Sequence, residues 1–233
     1  MLSGDEFHHL RHVLRLKIGD TVTLCDYQNK EYRGTIAWFS ASSAEIEITH
    51  VLSPVSPQMS LTLAQSLLKG QKMDFVVEKA TELGVSCIMP VVSTFTVAQL
   101  SHERRGERLA RWQRIAQSAA KQSGNPVPQI FPPRPFRALL DAIPPESGKI
   151  LLYEREQNLT LKTFAQTHPI FSSLYVMVGP EGGFTEEEVA RAQQIGFQTV
   201  GLGPQILRAE TASLAAVVLC RFLWGGVELP PLL

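Results

Sequence analysis

Up to Thr49 the chain carries short, turn-punctuated strand patterns. Residues 21–25, 32–39 and 44–49 are rich in β-branched and aromatic side chains, and Ala44-Glu45-Ile46-Glu47-Ile48-Thr49 alternates apolar and polar positions with period two. This predicts a small barrel or sheet with one buried face over residues 1–53. Residues 51–57 (VLSPVSP) break the pattern with two prolines, two serines and no helical period, which marks a linker and a domain boundary. From residue 58 to the end, predicted strands at 61–68, 85–92, 150–153, 174–178 and 200–202 alternate with amphipathic helices at 72–83 and 107–122. That order predicts an α/β domain built on a parallel sheet.

Two late segments add detail. Thr185 followed by Glu188 is a capping-box pair, with Phe184 placed to staple onto Val189, so a helix should begin directly after Gly182-Gly183. The last predicted helix, 210–224, is apolar nearly all round and stops at Gly225-Gly226. Such a helix must be covered, either by the core or by a second subunit.

Composition then narrows the function classes. With 44% hydrophobic residues in 233, the chain can bury a substantial core. Three cysteines far apart, at no metal-type spacing with the six histidines, indicate neither a disulfide framework nor a zinc site, and a reducing, cytoplasmic setting is expected. No apolar run approaches the roughly 18 residues of a membrane helix, so no membrane partner is expected. The 22 basic and 22 acidic residues cancel, which argues against non-specific phosphate-driven binding. Local patches survive that cancellation: residues 101–121 hold six basic side chains (Arg104, Arg105, Arg108, Arg111, Arg114, Lys121) against two acidic ones.

The chemistry concentrates in two loops. Val178-Gly179-Pro180-Glu181-Gly182-Gly183-Phe184 runs from strand through a glycine turn into the capped helix. Glycines let backbone N–H groups approach a ligand, but the spacing fits no phosphate-binding pattern and acidic residues crowd the helix start, so a neutral or cationic ligand is favoured. A plain structural turn is the alternative for this loop alone. Leu202-Gly203-Pro204-Gln205-Ile206-Leu207-Arg208-Ala209-Glu210-Thr211 repeats the strand, Gly-Pro, helix plan and puts Arg208, Glu210 and Thr211 at the helix entrance. Two such loops at the carboxyl ends of strands are where an α/β sheet binds its ligand.

VGPEGGFTEEE and LGPQILRAETA together resemble the paired C-terminal signatures of the RsmE-type methyltransferases of the SPOUT class. Residues 72–85, KMD through KATELGV, and residues 9–20, HLRHVLRLKIGD, resemble further segments of that family, so the resemblance covers nearly the whole chain. It implies a SPOUT-type α/β domain with a C-terminal trefoil knot, a small N-terminal PUA-like β-barrel that binds RNA, and a homodimer. It also implies methyl transfer from S-adenosylmethionine to uridine N3 of small-subunit ribosomal RNA, without a metal. Gly179, Pro180, Glu181, Gly182 and Gly183 from one loop, and Leu202, Gly203, Ile206, Leu207 and Thr211 from the other, would then hold the cofactor. Arg208 would stabilise the uracil anion, with Glu210 or Glu181 orienting it or accepting the imide proton. Arg11 and Arg15, and Lys72, Phe75 and Lys79 on one helical face, are the expected RNA contacts; an ordinary solvated face is the alternative for each.

The chain departs from the family pattern in three places. Asn125 and Phe95 stand where basic residues are usual, and family members usually carry a short segment ahead of the equivalent of Leu2, so either a late start or a missing strand of the small domain is expected. A SPOUT enzyme for another RNA position and a non-catalytic RNA-binding assembly factor are the competing functions.

Overall fold

Alternating strands that bury one face need a partner layer, and the N-terminal residues supply it from a helical segment. In the computed structural model, which describes residues 1–26, 30–52, 59–96, 102–168 and 171–225, the chain divides into two units, Met1–Ser56 and Pro57–Leu233. In the first unit, β1 (Leu2–Ser3) leads into α1 (Gly4–His8) and a π-helical turn, His9–Val13. β2 (Thr21–Cys25), β3 (Glu31–Phe39) and β4 (Ser43–Leu52) then form an antiparallel sheet ordered β1-β4-β3-β2, open at both edges among the described residues. Leu10 from the turn closes over Val22 and Ile36, a small core to which Leu24, Phe39 and Ile46 add partial cover. The helical content of residues 4–13 departs from the all-strand expectation. Only Phe7 and Leu10 are buried there, too few apolar positions to show a helical period. Most of the expected linker lies outside the described residues.

The second unit contains a parallel sheet ordered β11-β9-β10-β5-β6-β7. Its strands are β5 (Ser60–Ser66), β6 (Cys87–Val92), β7 (Gln129–Ile130), β8 (Arg134–Pro135, which also pairs with β6), β9 (Gly148–Leu152), β10 (Ser173–Val178) and β11 (Gln198–Val200). Strands buried on both faces read as near-continuous apolar runs, and β9 and β10 do so. Helices α2 (Lys72–Glu82), α3 (His102–Ser123), α4 (Phe136–Leu140), α5 (Leu161–Thr167), α6 (Glu186–Gln194) and α7 (Ala209–Trp224) complete the unit.

Two clusters form the core of this unit. Met73, Val76, Val77 and Ala80 of α2 meet Trp112 and Ala116 of α3 and Ala216, Val217 and Cys220 of α7 in one; Phe136, Leu139, Phe184, Val189 and Phe197 fill the other. Trp112, 1% exposed, donates its indole N–H to Asp74 at 3.0 Å, so the polar end of a core aromatic is satisfied at the α2–α3 seam. After β11 the chain crosses β9 to lay α7 against α2, β5 and β10. No helix among the described residues is long and apolar enough to cross a membrane.

Candidate active site

The carboxyl ends of three neighbouring strands, β10, β9 and β11, open into one cleft of about 540 Å³. This is within the range of pockets that take a drug-sized ligand.

The wall after β10 is tied down. Thr185 caps α6 by accepting from the Glu188 N–H at 3.2 Å, while Glu188 accepts the Thr185 N–H at 3.0 Å, the reciprocal capping box expected from the sequence. The second Glu188 oxygen accepts the N–H and the hydroxyl of Thr94, at 2.8 and 3.0 Å, which brings the segment after β6 against the loop. Phe95 then packs over Gly182, where a side-chain carbon would lie 3.0 Å from Phe95 Cβ. Gly183 has φ of +71°, a left-handed conformation that costs other residues about 1–2 kcal/mol. Phe184 and Val189, the predicted staple, are buried in one cluster.

Glu181 is held from two sides. Its Oε1 accepts the Lys69 N–H at 3.2 Å and lies 3.5 Å from Lys72 Nζ. Partial burial pushes its carboxyl upward, but backbone donors from its own residue and Lys69, with the Lys72 ammonium, outweigh that and hold it below the usual carboxylate range. Lys72 Nζ also lies 3.2 Å from Glu210 Oε2. The alignment makes no hydrogen bond, so that buried oxygen has a charge partner but no donor. Lys72, expected on an RNA face, thus lines the cleft and joins the β10 loop to the first turn of α7.

The wall after β11 is open. Residues 201–208 line the cleft, with Ile206 85% exposed. Arg208 is the N-cap of α7 by its backbone, with φ −64° and ψ 149°, and makes no side-chain cap bond. Its guanidinium is exposed at the cleft and has no hydrogen bond or ion pair among the described residues.

The structure therefore brings Gly179, Pro180, Glu181, Gly182, Gly183, Leu202, Gly203, Ile206, Leu207 and Arg208 to one cleft, with Glu210 linked to it through Lys72. Thr211 is exposed and does not line it. Sequence reasoning missed the third wall, Tyr153, Glu154 and Glu156 after β9. Glu156 is fixed by the Thr199 hydroxyl at 2.6 Å and by the N–H groups of Asn158 and Leu159 at 2.8 and 3.2 Å, which together hold its carboxyl below the usual range.

The expected RNA contacts are scattered. Arg11 is exposed in the first unit with its guanidinium 4.4 Å from the Phe39 ring centroid, and Arg15 is exposed with φ of +54°. Lys79 lies 2.7 Å from both Glu78 and Glu82, and Arg111 lies 2.7 Å from Asp74. Phe75 remains exposed on α2. Asn125 donates to the Glu82 carbonyl at 2.7 Å and so finishes α2, a structural task.

Known proteins match this architecture. Residues 55–221 match a family described as an RNA methyltransferase domain, and residues 2–49 one described as an RNA methyltransferase PUA domain. A ribosomal RNA small subunit methyltransferase E from Bacillus subtilis is 32% identical, over 93% of this chain and 87% of its own length. The crystal structure of a ribosomal RNA small subunit methyltransferase E from Neisseria gonorrhoeae bound to S-adenosyl methionine superposes with a TM-score of 0.82 at 38% identity, covering 97% of this chain and 92% of that one. A putative methyltransferase from Legionella pneumophila, in complex with the same cofactor, gives 0.80 at 28% identity, with 97% and 92% covered. Fold and cleft thus define an RNA methyltransferase with an N-terminal PUA domain. The chain belongs to the ribosomal RNA small subunit methyltransferase E family.

Proposed function

We propose that this protein transfers a methyl group from S-adenosylmethionine to N3 of a uridine in small-subunit ribosomal RNA, acting in the cytoplasm as a homodimer. The observation that carries the reading is the three-walled cleft with the Arg208 guanidinium beside it, unpaired among the described residues.

The cleft fits the cofactor. Its volume suits a nucleoside carrying an amino-acid chain, bare backbone at Gly179, Gly182 and Gly183 leaves room for close approach, and exposed Ile206 and Leu207 offer apolar cover for a flat base. When bound, the cofactor supplies an electrophilic methyl on a sulfonium. The chain's own task is positioning and charge. Arg208 stabilises the negative charge that grows on the uracil carbonyl oxygens as N3 loses its proton. Glu181 and Glu210, both spanned by Lys72, fix the β10 loop and the first turn of α7, and so aim Arg208. Glu181, held acidic, is a poor proton acceptor, and the imide proton leaves to water at the open side of the cleft.

Val218, Leu219 and Phe222 are exposed on α7, Phe222 at 75%, and we assign this stripe to the subunit interface. The crossing from β11 over β9 to α7 is where the trefoil knot lies on this reading. Residues 1–53, with Arg11 and Arg15, form the RNA-binding domain, and Phe75 is a stacking surface on the 58–233 domain.

The test is methyl transfer from labelled S-adenosylmethionine to small ribosomal subunits from a strain lacking its own enzyme of this family. Label in 3-methyluridine is the expected result. Label in another nucleoside overturns the substrate, and no cofactor binding at all overturns the enzyme.

A further inference from the structure

Three carboxylates, Glu154, Glu156 and Glu181, line the cleft. Two are held by donors of the protein itself. Glu156 takes the Thr199 hydroxyl and two backbone N–H groups, and Glu181 takes the Lys69 N–H and the Lys72 ammonium. Glu154 has no such partner. It follows β9, is exposed, and among the described residues makes no hydrogen bond or ion pair.

Its position is nonetheless defined. A side-chain carbon on Gly183 would lie 2.8 Å from Glu154 Oε1 and 3.3 Å from Oε2, so the carboxylate rests across the bare Cα of the glycine loop, from one wall of the cleft to another. The neighbouring cation is committed elsewhere, since Arg155 pairs with Glu186 at 3.1 Å. Lys72 is occupied by Glu181 and Glu210, and Arg208 lies outside pairing distance of Glu154. An anion lining a ligand cleft without a protein counter-charge is a complement for a cation on the ligand.

We infer that Glu154 is the anionic contact for a cationic centre of the cofactor, an inference that rests on the cofactor reading above. S-adenosylmethionine has two such centres, the α-ammonium and the sulfonium. The ammonium persists in the product. The sulfonium does not, because the S–CH₃ bond breaks, its electron pair stays on sulfur, and a neutral thioether remains. If the sulfonium is the centre that Glu154 meets, the cleft holds substrate cofactor more tightly than spent cofactor by charge alone, and turnover weakens the grip on the product.

Calorimetric titration of the full chain and of Glu154→Gln, a near-isosteric change, tests this with three ligands. S-adenosylmethionine carries both cations, S-adenosylhomocysteine carries the ammonium only, and 5′-methylthioadenosine carries neither. The variant is expected to bind S-adenosylmethionine about tenfold more weakly, the loss of one charge-assisted contact, and 5′-methylthioadenosine unchanged. An equal loss for S-adenosylhomocysteine identifies the ammonium, and a loss confined to S-adenosylmethionine identifies the sulfonium. Unchanged S-adenosylmethionine affinity, or an equal loss for all three ligands, overturns the inference while the cofactor reading stands. Wild-type protein that binds none of them overturns the cofactor reading itself, and the inference with it.

Discussion

The two loops that resemble each other in sequence are opposites in structure. Gly179 to Phe184 is fastened by the capping box, by Glu188 to Thr94, by Glu181 to Lys69 and Lys72, and by the buried Phe184 ring. Residues 201–208 also line the cleft, but leave Ile206 in solvent and Arg208 without a partner among the described residues. Both have the same strand, Gly-Pro, helix plan. The difference lies in the helix that each loop enters: Thr185 and Glu188 satisfy the start of α6 from within, whereas the start of α7 has no side-chain cap. One wall is organised by the protein and the other awaits its ligands. Preorganisation lowers the cost of binding, and an open wall leaves room for the RNA.

The largest expected effect comes from the open wall. Arg208→Ala should lower the rate of methyl transfer by about 10²–10³-fold, as loss of a transition-state donor does, with cofactor affinity changed by no more than a few-fold. Its melting temperature should match wild type, because the side chain holds nothing in place; a large drop in melting temperature would place Arg208 in the fold instead. On the fastened wall the effects should reverse. Gly183→Ala meets a left-handed backbone and the Glu154 carboxylate, so calorimetry should show a melting temperature about 2–8 °C lower, together with weaker cofactor binding. Unchanged stability there would remove the contrast between the walls.

The smallest effect is a pH dependence. Because the folded-state carboxyl of Glu181 is depressed, it contributes stability that is fully present above its unfolded value, about 4.3, and is lost as pH falls through the folded value. The stability gap between wild type and Glu181→Gln should therefore be constant near neutrality and close at acid pH. Urea unfolding across that window checks the sign; a gap that widens in acid would refute it.

Much of this was legible in the chain. The strands and long helices of the second unit fall within a few residues of the periodic segments, because buried strands and amphipathic helices write their period directly into the sequence. The start of α3 is the main shift: it begins at His102 rather than residue 107, where charged residues on all sides conceal the period. Short elements such as α4, α5 and β8 carry too few residues to show one. At the site, glycine, proline and the capping pair announced two walls. The third was hidden because the order β11-β9-β10 is a long-range fact, so nothing local marks Glu154 as a neighbour of Gly183. The pairing of Lys72 was hidden for a related reason. Its helical face is visible in the sequence, but the two carboxylates that draw it into the cleft come from residues more than a hundred positions away.

One buried cluster beneath the cleft bears on how the family can vary. The Gln65 side chain, wholly buried, donates to the Ser66 carbonyl at 2.9 Å and the Gly179 carbonyl at 3.4 Å, and accepts from the Ser213 hydroxyl of α7. Replacing Ser213 alone strands the Gln65 amide oxygen away from water, whereas replacing Gln65 leaves Ser213 its bond to the Ala209 carbonyl but takes the donor from the Ser66 and Gly179 carbonyls. Of the two positions, 148 apart in the chain, Gln65 should therefore be the harder to replace across descendants of this protein, because the carbonyls it serves belong to the backbone. Between α7 and the glycine loop, evolution can vary the α7 half of the joint more freely than the strand half.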